Sequence, residues 1–431
     1  MPVNPEIGFT SSVIRDPSRF VGRAQLVQDC LKSLDTPLGL IAVYGKRGVG
    51  KSSLMRQLQA MATGDFTLLK KAGLGHAIPS HPRSYLTAYY VCDSTIHNAT
   101  DLLARLCNDQ NEEDGLLRLV PDDGKELVEF ERSKEVHAGT DLKVIAWGAK
   151  GVESSRYARI VPNDIVQTFR NFVSSIVTHQ VKKRMRRDGL LILLDEFDVI
   201  RDKSSIGSLI KSLSSDEVKF AISGIGHDLT DLVTDHASVE RLLEEGALEV
   251  HPMSLPEATQ IVTTAEKLFD GAIRFDPTVA AKIAAASQGY PYFVQLLGKE
   301  CVSQANTLNT NFVSEEVYAR VLEDVRSGKA FPTLESAYQR AIGNSPDRQV
   351  LLHLLAEQRE DVAHYNEDLG RVVLKEARKT AEDLDVRYVD QLIPRLVDEN
   401  FGPVLRRLTE RQGVYEFVNP VLRLYVNLRR I

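Results

Sequence analysis

The stretch Tyr44-Gly45-Lys46-Arg47-Gly48-Val49-Gly50-Lys51-Ser52-Ser53 has the residue types and spacing to hold phosphate, in the pattern G-x-x-x-x-G-K-[ST]. Gly45, Gly48 and Gly50 allow backbone conformations that other residues avoid and a close approach to a ligand. Successive N–H groups from Gly45 to Ser53 can then converge on an anion, reinforced by the positive end of a following helix. Lys51 supplies a point charge for the β- and γ-phosphates, and the Ser52 hydroxyl suits Mg²⁺. A second chemical signal is Leu190-Leu191-Ile192-Leu193-Leu194-Asp195-Glu196. Its two carboxylates suit complementary tasks: Asp195 holding the water shell of Mg²⁺, Glu196 polarising an attacking water.

These residues need elements to position them. Gly39 to Val43 is a short apolar run rich in β-formers, and Leu54, Met55, Leu58 and Met61 recur at helical spacing. The order strand, glycine loop, helix is what a phosphate cradle requires. The run Leu190 to Leu194 predicts a strand buried on both faces, ending in its carboxylates at the sheet edge where ligands sit in open α/β folds. Tyr85 to Cys92 predicts a second core strand, Lys219 to Leu229 another with a polar end, and Leu248 to Val250 a short last one. Residues 1–19 read as Pro-rich and irregular, and residues 64–84 as a long connection. The charged stretch 109–135 reads as exposed.

Two stretches could meet partners. Lys143 to Trp147 and Tyr157 to Val161 flank a Gly-Ala-Lys-Gly turn, predicting a β-hairpin at about 140–162 that either contacts a partner or DNA, or packs Trp147 on its own domain. The apolar helical pattern from Asp164 to Val181 runs into Lys182-Lys183-Arg184-Met185-Arg186-Arg187. Those cations either complement a helix C-terminus or meet phosphate.

Composition narrows the class. The chain has 431 residues and 43% hydrophobic content, enough for two or three domains with real cores. A net charge of −6 provides no overall basic field for nucleic acid. Cys30, Cys92, Cys107 and Cys301 form no CxxC pair, which suits a reducing compartment without disulfides or structural zinc. No apolar run is long enough for a membrane helix and no signal pattern opens the chain, so a cytoplasmic protein is expected.

The C-terminal half reads as helical. Pro252 to Ala258 closes the core, with Ser254 as N-cap and Glu257 three residues on. Residues 254–342 read as all helix, with Gln288-Gly289-Tyr290-Pro291 opening one of them. Beyond Ser345, three helices (around 350–355, 370–382 and 386–398) precede two paired strands, Phe401 to Leu408 and Val414 to Val418, the pattern of a winged helix-turn-helix. Arg387 and Arg395 are candidates for its outer face, and Arg406, Arg407, Arg411, Arg423, Arg429 and Arg430 outnumber the local acids. DNA backbone contact and protein docking both fit.

The order Phe20-Val21-Gly22-Arg23, phosphate loop, acidic strand, polar-ended strand, Gly289-Tyr290-Pro291 lid and winged helix resembles STAND/archaeal-type AAA+ P-loop ATPases, relatives of the origin-recognition initiators. The resemblance implies an αβα core with a parallel sheet, a hairpin insertion, a helical lid and a C-terminal winged helix. Expected boundaries are 1–36, 37–252, 253–344 and 345–431. It implies that Phe20 and Val21 wall the adenine and that Pro291 lies near it and couples nucleotide to lid angle. It also implies an arginine, Arg241, able to reach a nucleotide. The origin-recognition branch carries Asn where His227 stands, so the γ-phosphate sensor stays open among Ser223, His227 and Asp228. An ATP/ADP and Mg²⁺-dependent ATPase switch is implied, acting with a homo-oligomeric or other protein partner. An ATP-dependent DNA-binding regulator and an ATP-locked scaffold are the rivals.

Overall fold

A computed structural model describes residues 2–36, 39–108, 115–119, 165–226, 232–233, 241, 243, 246–357, 362–364, 386–408 and 413–429. The hairpin expected at about 140–162, the helix expected near 370–382, His227 and Asp228 lie outside the described residues. The structure divides into two compact units: Ile14–Lys46 with Lys51–Val250, and Met1–Val13 with Arg47–Gly50 and His251–Ile431.

The first unit is built on a five-stranded sheet in the order β2-β3-β4-β1-β5, with all registered pairs parallel. Its strands are β1 (Leu40–Gly45), β2 (Tyr85–Val91), β3 (Gly189–Asp195), β4 (Val218–Ile225) and β5 (Ala247–Glu249). Every residue of β3 is buried, as the unbroken aliphatic run demands. Burying each of Leu190 to Leu194 is worth about 1.5–3 kcal/mol. One sheet face packs on a cluster that includes Leu102, Leu106, Phe169 and Phe172. Helix α1 (Ala24–Asp35) precedes β1, and helix α2 (Lys51–Ala62) follows the glycine loop and buries Leu54, Met55, Leu58 and Met61.

Residues 64–84 are less irregular than their Gly, His and Pro content suggests: Thr67–Lys71 forms a short helix. Lys219 is almost fully buried in β4, and its ammonium donates to the Ser33 and Thr36 carbonyls at the end of α1. A cation there satisfies carbonyls that a helix C-terminus leaves without partners.

In the second unit, helices span Leu255–Leu268, Pro277–Ser287, Pro291–Thr307, Glu315–Arg326 and Pro332–Ile342. The Glu257 carboxylate accepts from the Ser254 N–H (2.9 Å) and hydroxyl (2.8 Å), closing the first of these helices. A small parallel pair, β6 (Arg274–Phe275) with β7 (Phe312–Val313), interrupts what the sequence presents as all helix. Two-residue strands carry too little period to register.

Phe9 is fully buried in this unit, packed between Phe269 and Phe275 at ring centroid distances of 6.1 and 5.6 Å. Gly298 is what admits it, since a Cβ there would lie 2.2 Å from the Phe9 ring. The N-terminal stretch is therefore part of a core. Phe9→Ala is expected to cost about 3–5 kcal/mol in urea unfolding.

The C-terminal residues form helices Pro346–Ala356 and Val386–Val397, an antiparallel sheet β8-β10-β9 (Val362–His364, Val414–Phe417, Leu405–Arg407) and a last helix, Pro420–Leu428. The paired strands are present, and β8 joins them. The expected basic surface is reduced. Arg423 is buried, donating to the Ala356 carbonyl (3.3 Å) and to Gln288. Arg429 pairs with Glu335 at 3.1 Å, and Arg406 with Glu416. Arg395 and Arg407 are exposed, whereas Arg411, Arg430 and the Arg387 side chain lie outside the described residues.

Candidate functional site

The sheet order explains how distant residues meet. Chain leaving β1 enters the glycine loop, and β3 ends in Asp195, with β4 between them. In a parallel sheet all these ends share one edge, two strand spacings or about 10 Å apart. Leu194 pairs with Ile222 and Val43 with Ser223, so Asp195 stands one step on, beside Ser223.

The loop's glycines are conformationally required. Gly48 and Gly50 have φ of 83° and 98°, open to glycine and costly for other residues. Gly45 has φ 146°, and a Cβ there would sit 2.5 Å from the Val250 carbonyl oxygen. Gly45→Ala should lose about 2–4 kcal/mol of stability through backbone strain and overpacking, read as a lowered urea midpoint. The Lys51 ammonium donates to the carbonyls of Gly45 (3.0 Å) and Lys46 (2.9 Å), which keeps it within the loop. Ser52 lies beside it in the first turn of α2, half-buried. The Ser53 hydroxyl accepts from the Ile14 N–H at 3.0 Å, and buried Gln57 donates to the Ile14 carbonyl at 3.1 Å. These bonds fasten the N-terminal chain to α2.

The acidic end is more constrained than a pair of solvated carboxylates. Asp195 is 4% exposed. Its Oδ2 accepts from the Tyr89 hydroxyl at 2.6 Å; its Oδ1 accepts from the Glu196 N–H at 3.0 Å and from the Ser223 hydroxyl. Burial, and then the Asp195 charge, push the Tyr89 phenol far above its usual range, so it stays protonated and donates. Glu196 is exposed and sits at φ 54°, a left-handed conformation that a glutamate holds only under constraint. Asp198 Oδ1 accepts from the Ile225 N–H at 2.9 Å and fixes the following turn to β4.

Of the other named residues, Phe20 is buried and Val21 half-buried, ahead of α1, and Lys71 donates to the Phe20 carbonyl at 3.3 Å. Arg241 is exposed. In the second unit, Pro291 opens the helix Pro291–Thr307, and its ring lies 3.6 Å from where a Gly50 Cβ would be. Beside Gly48, the same construction meets Val421 Cγ2 at 2.9 Å, so a side chain at either loop position would crowd this unit. The cluster at 182–187 ends a π-helix, Val177–Met185: Lys182 pairs with Glu217, and Arg187 donates to the Thr63 carbonyl at 3.0 Å. The four cysteines are buried without disulfides, and burial pushes the Cys107 thiol up to about 12.

Tyr89 belongs to no motif. Its signal was there: a core strand with several tyrosines must find an acceptor for each buried hydroxyl. Tyr85 uses the Leu34 carbonyl at 2.8 Å; Tyr89 uses the carboxylate.

Sheet order, glycine loop and acidic strand together make an α/β arrangement with a phosphate cradle and a buried carboxylate on one sheet edge. Residues 19–219 match the family model described as AAA ATPase domain. The chain is similar to a Walker-type ATPase of Pyrococcus abyssi (11% identity, 94% of this chain and 96% of that one, TM-score 0.45). It is also similar to the ORC1 protein of Aeropyrum pernix in complex with DNA (12%, 99% and 96%, TM-score 0.46). A third similar structure is Cdc6p of Pyrobaculum aerophilum (12%, 99% and 98%, TM-score 0.43). No curated protein matches it in sequence. No helix among the described residues is long and apolar enough to cross a membrane.

Proposed function

We propose that the chain is an ATP-hydrolysing molecular switch of the AAA+/STAND kind, in which nucleotide state controls the lid and assembly with protein partners. The observation that carries this is the buried Asp195, oriented by three donors at the sheet edge that also launches the phosphate loop. A carboxylate so oriented at a ligand edge is arranged to meet positive charge.

The donor set fits Mg²⁺, a hard cation that takes oxygen ligands and shares them with substrate phosphates. Ser52 and Asp195 would hold it, the second through water. When bound, the cation neutralises charge on the phosphate oxygens. The chain's own groups do the rest. Backbone N–H groups from Gly45 to Ser53 bind the phosphates, Lys51 offsets their charge, and Glu196 orients the attacking water and accepts its proton. Phe20 and Val21 pack on the adenine. Pro291, at a helix start, links the loop tip to the lid, and the C-terminal residues act as a winged helix for protein docking.

Turning a 1:99 population into 99:1 needs about 5.5 kcal/mol of differential binding. Two or three charge-assisted hydrogen bonds at about 1.5–3 kcal/mol each supply it. The test is calorimetric titration with ATP and ADP, with phosphate release and solution mass measured in each state. ATP uptake with slow turnover and a mass that differs between ADP and an ATP analogue is expected. Absence of adenine-nucleotide uptake removes the reading.

A further inference from the structure

We propose that Tyr89 is a positioning residue for the metal-side carboxylate, clamped by Arg56, so that β2 and α2 together set the affinity of the site for Mg²⁺. The inference rests on the ATPase reading and extends it to residues outside the phosphate loop and the acidic strand.

Register comes first. Tyr89 pairs with Leu193 and Val91 with Asp195, so Tyr89 and Asp195 project from the same sheet face. The long phenol leans along the strand and delivers its hydroxyl to Oδ2 at 2.6 Å. Oδ1 accepts from Ser223 on β4, the strand on the opposite flank of β3, and from the backbone N–H of the next residue. A carboxylate with donors on both oxygens cannot rotate without breaking one of them, and such outer contacts set ligand orientation in metal sites.

The ring is itself held. The Arg56 guanidinium carbon lies 3.4 Å from the centroid of the Tyr89 ring, whose side chain is buried. Arg56 follows Ser52 by four residues on α2, so both lie on one helix face, a turn apart. Tyr89 thus contacts Asp195, while the arginine on its ring stands one helical turn from Ser52, the other residue that would hold the cation. A buried tyrosine with only a packing role needs any acceptor, such as the carbonyl that Tyr85 uses. Tyr89 instead uses a carboxylate with a ligand-facing task.

The experiment is calorimetric ATP titration of the full chain in EDTA and across a Mg²⁺ series, with wild type, Tyr89→Phe and Arg56→Leu. Tyr89→Phe keeps the ring and removes only the hydroxyl. Its metal-free ATP affinity should match wild type, whereas the Mg²⁺ concentration giving half of the affinity gain should rise about 10–100-fold. Arg56→Leu keeps the hydroxyl and loosens the ring, giving a shift of the same sign of about 2–5-fold. Melting without nucleotide reports any purely structural effect, and a lowered midpoint with unaltered Mg²⁺ dependence overturns the proposal. So does a Tyr89→Phe response to Mg²⁺ identical to wild type, while wild type itself binds ATP. Failure of wild type to bind ATP overturns the ATPase reading, and this inference with it.

Discussion

Lys51→Ala is expected to weaken ATP uptake by about 10²–10⁴-fold. The ammonium is the one formal positive charge that the loop motif directs at the β- and γ-phosphates. It already lies within the loop, donating to the carbonyls of Gly45 and Lys46. Those carbonyl contacts hold an extended side chain in place, so little rotamer entropy remains to be lost on binding. Two charge-assisted bonds to phosphate amount to about 3–6 kcal/mol, roughly 10²–10⁴ in affinity. Backbone N–H donors alone leave the nucleotide with weak binding. The measurement is calorimetry with ATP on both proteins, accompanied by melting curves, because the loop also loses two internal hydrogen bonds. A variant Kd within about threefold of wild type would show that Lys51 does not face the phosphates, since even one lost charge-assisted bond costs more than that.

Much of this site was legible because its signals are local. Loop glycines, lysine and serine are contiguous, and the aliphatic run before Asp195 requires a doubly covered strand whatever surrounds it. What remained hidden is non-local. The Tyr89–Asp195 bond spans 106 residues and the Ser223–Asp195 bond 28. Periodicity carries no information about which hydroxyl will meet which carboxylate. Ser223 is a sensor candidate only through the family resemblance, and its contact with Asp195 follows from the strand order.

Charge was the least legible property. Arg423 counts toward a basic surface in sequence, yet its side chain is buried beneath the last helix with Gln288 and the Ala356 carbonyl. Lys219, in an apolar strand, is not a surface break but the cation that closes α1. Long cationic side chains bury their stems and seek carbonyls. Counting arginines near the C-terminus therefore overstated what is presented to a partner.

Glu196→Gln should separate binding from turnover. The amide matches the carboxylate in shape, so the left-handed backbone at φ 54° and the N–H bond from residue 196 to Asp195 Oδ1 are retained. Asp195 keeps its donors from Tyr89 and Ser223, and the phosphate loop is untouched. ATP affinity should therefore stay within about threefold of wild type, well under the cost of one charge-assisted bond. What is lost is a base able to take a proton from water. Such a contribution is worth about 10²–10⁴ in rate. Single-turnover hydrolysis with enzyme in excess should show that drop while the binding isotherm stays in place. Because no charge is left to accept the proton, raising the pH should not restore the rate. Undiminished phosphate release from this variant would remove Glu196 from the chemistry and leave Asp198, which the same turn holds against β4, as the nearby carboxylate able to act.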